Sequence, residues 1–102
     1  MQPNEFAVAD LPPGSITLVT VDGEDVAVYN CGGAIYATAD ACTHAQGPLS
    51  AGELSGCIVT CPIHDSQFDV RDGSVVRGPA DKPVATYKVT ITDGVGYVET
   101  KA

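Results

Sequence analysis

Two short pairs constrain this chain more than anything else in it: Cys42-Thr43-His44 and Cys61-Pro62-Ile63-His64, with 16 residues between them. Each pair holds a thiolate and an imidazole within one or two residues of each other, so a tight loop can aim both at one point. Two such loops facing one another offer two sulfur and two nitrogen donors. That set suits a tetrahedral zinc ion. It also suits a [2Fe–2S] cluster in which one iron carries two thiolates and the other two imidazoles.

With 102 residues the chain is long enough for one domain with a core of its own. Its 11 Gly and 7 Pro, with no Trp, favour a loop-rich β protein over a helical one. No stretch approaches the roughly 20 apolar residues of a membrane span. The segment Met1-Gln2-Pro3-Asn4-Glu5 has no basic n-region, no apolar h-region and no twin arginine. A soluble cytoplasmic protein is therefore expected. Disulfides are disfavoured in a reducing cytosol, so the two cysteines outside the pairs, Cys31 and Cys57, are expected as buried or half-buried small apolar residues. The lesser reading makes them extra ligands or a redox pair.

The net charge of −8 is unevenly placed: residues 1–60 carry seven acids and no Lys or Arg, and all five basic residues follow position 70. Such a field repels nucleic acid and anionic membranes and steers the protein toward basic partner surfaces. An acidic surface also serves plain solubility.

Period-2 patterning dominates both ends of the chain. Ser15–Val21 alternates polar and apolar side chains, Asp22-Gly23-Glu24-Asp25 turns, and Val26–Asn30 returns as the second strand of a hairpin. Gly32-Gly33 turns again into Ile35–Thr38, and Ala85–Thr92, Asp93-Gly94 and Gly96–Thr100 make a further hairpin. Tyr29, Tyr36, Tyr87 and Tyr97 read as strand packing residues. The stretch from about Ala41 to Pro79 is richer in Gly and Pro, holds every candidate ligand, and contains its own hairpin around Arg71-Asp72-Gly73. No helix of ordinary length is expected, only a short turn near Ala45–Leu49 or Ser50–Leu54. The expected fold is all-β: a base from residues 1–40 and 80–102, and a cluster-binding subdomain, 41–79, inserted in it.

The spacing C-x-H-x16-C-x2-H, with Pro62 after the second cysteine and Gly78-Pro79-Ala80 further on, resembles the two cluster loops and the proline loop of Rieske [2Fe–2S] ferredoxins. The match covers the middle 40 residues in detail and the flanking strands in outline. The resemblance implies an antiparallel Rieske-like β-sandwich and one [2Fe–2S] cluster per chain. Cys42 and Cys61 would bind the buried iron, and His44 and His64 the exposed one. Neutral imidazoles in place of two thiolates raise the potential into a range of about −150 to +300 mV. The imidazole-bound iron lies outward, so the electron would leave through His44 and His64, whose free ring nitrogens can couple it to a proton.

The departures are as informative as the match. Respiratory Rieske proteins resemble CTHLGC and CPCHGS, with a disulfide joining the loops, whereas this chain has Gly47 and Ile63 at those two positions. Ser66 matches a serine that donates to a cluster sulfide in high-potential members. Phe68 stands where those members have a tyrosine donating to a ligand cysteine. Pro79 would cover one side of the cluster, followed here by Asp81 and Lys82. Fewer hydrogen bonds to the sulfurs predict a potential near the bottom of the range.

Both histidines are used as ligands, so no facial triad of two histidines and a carboxylate can be assembled for catalysis. The expectation is an electron carrier, not an enzyme. Small free-standing ferredoxins of this kind serve bacterial aromatic-ring-hydroxylating dioxygenases. A ferredoxin reductase using NAD(P)H and a terminal oxygenase are the implied partners, the protein itself being a monomer. Gln46, Leu49 and Asp65 are expected on the docking rim. Two alternatives come from other classes. A structural zinc module could use the same ligands, although zinc fingers usually place two cysteines before two histidines around a helix. The small subunit of an assimilatory nitrite reductase shares the fold, but many such chains lack the ligands kept here.

Overall fold

The computed structural model describes residues 2–42, 47–63 and 65–101. Among the described residues, ten strands form two antiparallel sheets: β1 (Glu5–Ala7), β2 (Ile16–Val21), β3 (Glu24–Cys31), β4 (Ala34–Ala39), β5 (Glu53–Ser55), β6 (Ile58–Thr60), β7 (Gln67–Asp69), β8 (Val75–Arg77), β9 (Thr86–Thr92) and β10 (Val95–Lys101). The larger sheet has the order β1-β10-β9-β4-β3-β2 and the smaller β5-β6-β7-β8. The only helical turns among the described residues are two 3₁₀ turns, Val8–Asp10 and Leu49–Ala51. No helix among the described residues is long and apolar enough to cross a membrane.

The long hairpins follow from turn chemistry. β2 and β3 are joined by Asp22 and Gly23, and β9 and β10 by Asp93 and Gly94, each pair with positive φ at both residues. That is the two-residue turn whose twist matches paired strands, and Asp-Gly is one of its preferred sequences. Gly32 and Gly33 do the same between β3 and β4. The Asp22 turn is two residues shorter than its sequence suggests, because Glu24 and Asp25 already pair with Val21 and Thr20.

Strand β3 is buried on both faces from Val26 onward. Val26 and Val28 point into one core with Phe6, Val19, Val21, Ala37, Tyr87 and Val98, to which every strand of the larger sheet contributes. That sheet therefore curls around its own core. The residues leading into β1 help close the curl: Thr20 N–H donates to the Pro3 carbonyl at 3.0 Å and Val98 N–H to the Asn4 carbonyl at 2.9 Å. Ala27, Tyr29 and Cys31, on the opposite face of β3, meet a second core that includes Leu49, Val59, Phe68, Val70 and Val84. Cys42 and Cys61 belong to this second core, between the sheets.

Tyr29, Tyr36 and Tyr87 pack as expected, whereas Tyr97 on β10 is exposed. Tyr29 is fully buried with its hydroxyl 2.7 Å from Thr38 Oγ1, and burial pushes its phenol well above the ordinary range. Tyr87 is buried and donates to Glu24 Oε2 at 3.1 Å.

Glycine is required where Phe6 lies on β10. A Cβ at Gly96 would fall on the Phe6 ring. Gly96→Ala should therefore lower stability by about 1–3 kcal/mol through overpacking, read as a lower denaturant midpoint at unchanged slope. An unchanged midpoint would mean that the ring has room to shift.

One expectation is overturned. Cys31 and Cys57 are not separate small apolar residues but a disulfide, with Cα atoms 5.1 Å apart. They lie 26 positions apart in sequence, and only the packing of the end of β3 against the turn before β6 brings them within bonding range.

Candidate metal centre

Both cysteines of the ligand pairs sit at the feet of loops closed in the same way. After β4 the chain narrows where Ala41 bridges Pro48, and Cys42 N–H donates to the Gly47 carbonyl at 2.9 Å. After β6, Cys61 N–H donates to the Ser66 carbonyl at 2.7 Å. Each cysteine thus bonds to the residue five positions on. The first loop is pinned further by Asp40, a buried residue whose carbonyl accepts Leu49 N–H at 2.7 Å and whose Oδ1 accepts Ser50 N–H at 2.7 Å. Asp65, in the left-handed region with φ 58°, turns the second loop back toward β7.

The loops touch at Gly47 and Ile63. A Cβ on Gly47 would lie 2.9 Å from Ile63 Cγ1 and 3.1 Å from Cys61 Sγ, so a side chain there would crowd the second loop and its sulfur. These are the two positions where respiratory Rieske proteins carry their additional disulfide, and they are neighbours in space here.

Cys42 and Cys61 are both fully buried, and their thiols are within hydrogen-bonding reach of each other. The Cys61 thiol is pushed up, chiefly by burial and then by Cys42 and Asp65, while a hydrogen bond from the Ile63 backbone N–H opposes the shift. Two adjacent buried thiols become thiolates at low cost only when a cation takes both. The described half of the donor set therefore fits a dithiolate metal site. His44, His64 and Gln46, the last expected on the docking rim, lie outside the described residues.

The remaining expected residues separate clearly. Ser66 is buried, and its Oγ accepts the Ala80 N–H at 3.0 Å. The same bond ties the Gly78-Pro79-Ala80 loop to the second ligand loop. Phe68 is fully buried in the core that holds both cysteines. Pro79 is exposed and follows a cis peptide bond. Asp65 is exposed. Leu49 must be corrected: with 0% of its surface exposed it is core, not docking rim. An apolar residue at the start of a 3₁₀ turn was read as surface, but that turn packs against the second core. Ile63, 41% exposed at the loop tip, takes its place on the surface. Sequence reading also passed over Asp40 and Ala80; an Asp just before a ligand loop is a signal for such a backbone pin.

A family model described as the Rieske [2Fe–2S] domain matches residues 4–88. The chain belongs to the Rieske [2Fe–2S] domain family. One relative is the ferredoxin component of the naphthalene 1,2-dioxygenase/salicylate 5-hydroxylase systems of a Ralstonia species, 40% identical over 80% of this chain and 79% of its own. Among solved structures, the ferredoxin of carbazole 1,9a-dioxygenase from Nocardioides aromaticivorans is 32% identical over 93% of both chains, with a TM-score of 0.89. A chain from a complex of reduced oxygenase and oxidized ferredoxin in carbazole 1,9a-dioxygenase is 37% identical over 91% of this chain and 96% of its own, with a TM-score of 0.87. This Rieske ferredoxin is an electron carrier with one [2Fe–2S] cluster per chain, not itself an enzyme. The zinc alternative falls with that assignment.

Proposed function

We propose that this Rieske ferredoxin carries single electrons from an NAD(P)H-dependent ferredoxin reductase to the terminal oxygenase of an aromatic-ring-hydroxylating dioxygenase. Its match to ferredoxin components of such systems, over about four-fifths of both chains, is the observation that carries the reading. In this proposal Cys42 and Cys61 hold the inner iron, and His44 and His64 the outer one. The bound cluster supplies a reversible one-electron change. The protein's own part is to exclude water from the two thiolates, which it does by burying both among Phe68, Leu49 and Val59. Ser66, positioned by Ala80, donates toward the cluster, Phe68 shields it without a hydroxyl, and Pro79 covers one side.

Further proposals follow the same reading. The chain is a single Rieske domain, with residues 1–40 and 80–102 as base and 41–79 as cluster-binding subdomain, acting as a cytoplasmic monomer. The docking rim is Gln46, Asp65 and the exposed Ile63.

A redox titration followed by low-temperature EPR tests the proposal. The expected result is a rhombic Rieske signal that appears near the bottom of the family's range. A midpoint above about +100 mV would contradict it. Transfer to the oxygenase should also slow as ionic strength rises, because exposed charges are screened within about 10 Å at 0.1 M salt. Stopped-flow rates that ignore salt would place the acidic residues away from the docking face.

A further inference from the structure

The Cys31–Cys57 disulfide has no part in the electron-transfer reading, and its position suggests one. Cys31 ends β3 of the larger sheet, and Cys57 lies just before β6 of the smaller. Strand β6 runs directly from Cys57 into Cys61, with only Ile58, Val59 and Thr60 between. The two sheets have separate hydrogen-bond ladders, so the disulfide is a covalent tie between base and ligand-bearing sheet. Cys31, Cys42 and Cys61 share one buried core.

We propose that Cys31–Cys57 is a dithiol-reducible cross-link that fastens the ligand-bearing sheet to the base and thereby governs how firmly the cluster is retained. The two sulfurs differ in access. Cys31 is buried at 7% exposure, whereas Cys57 is half-buried and follows the exposed Gly56, where nothing lies within 4 Å of a would-be Cβ. An incoming thiolate therefore attacks Cys57 Sγ. The Cys31–Cys57 bond breaks, a mixed disulfide forms at Cys57, and Cys31 leaves as thiolate and takes a proton. The second thiol of the reductant then displaces Cys57, so one dithiol becomes a disulfide and gives two electrons and two protons to the pair. The partner is thus a small or protein dithiol. In a reducing compartment a disulfide in such a place is a sensing bond more often than a permanent one. Reduction leaves the apolar packing of the second core but removes the tie four residues before Cys61, and the sheet then opens more readily.

The test uses the cluster-loaded protein. Alkylation without reductant, followed by mass spectrometry, should show Cys31 and Cys57 blocked as a disulfide. Iron release to a chelator should rise several-fold on adding dithiothreitol, with a lower thermal midpoint. The Cys31→Ala/Cys57→Ala double variant should release iron at the faster rate and ignore dithiothreitol. Both cysteines alkylated in the air-purified protein, release unchanged after proven reduction, or equal acceleration by dithiothreitol in the double variant would each overturn the proposal. If the double variant does not fold, reduction of the folded native chain decides the matter.

Discussion

Cys42→Ala and Cys61→Ala are each expected to yield a folded, colourless protein without its iron. Both side chains are fully buried and close enough to share a hydrogen bond, so the remaining thiol has neither a cation nor a partner sulfur to stabilise its thiolate. A single buried thiol keeps its proton, and the inner iron loses the dithiolate that would hold it. The fold itself should survive, because both sites are small and apolar, and Cys behaves as a small hydrophobe. Alanine is a cleaner replacement than serine, whose buried hydroxyl would cost about 1–3 kcal/mol if unpaired. Visible absorption and iron analysis read the loss, and circular dichroism reads the fold. An alanine variant with its full iron complement would remove that cysteine from the ligand set.

Phe68→Ala should destabilise the protein by about 3–5 kcal/mol, the usual cost of deleting a buried phenyl ring. Phe68 pairs with Val59 across β6 and β7 and is among the largest fully buried side chains. It fills the core against which both ligand cysteines pack. Against a total stability of roughly 5–15 kcal/mol, that loss is large enough to move the denaturant midpoint far. Iron loss should accompany it, because the cavity opens beside the cysteines. Phe68→Leu, which keeps more of the volume, should cost less. A loss below about 1 kcal/mol for the alanine variant would mean that the site collapses around the gap.

These sites also show where sequence reading reached and where it stopped. The ligand pairs were legible because their chemistry is local: a thiolate, one or two spacers and an imidazole, repeated once. The long hairpins were legible because strands of six to eight residues repeat their period several times, and Asp22-Gly23 and Asp93-Gly94 supply the turn. Strands β1, β5, β6, β7 and β8 have three residues each, too few for a period of two to stand out. Leu49 was misplaced for a related reason. Its neighbours in sequence are loop residues, and its burial comes from strands distant in the chain.

What the sequence alone determined was the all-β class, the turns, the four-donor pattern and the acidic charge field, all of which depend on residues close in the chain. Three further features came from long-range packing: the pairing of Cys31 with Cys57, the burial of Leu49 and the seating of Gly47 against Cys61. In each, the partners are joined by the packing of one sheet on the other. That packing is driven by burial of apolar area summed over the whole core, a quantity to which no local segment holds the key.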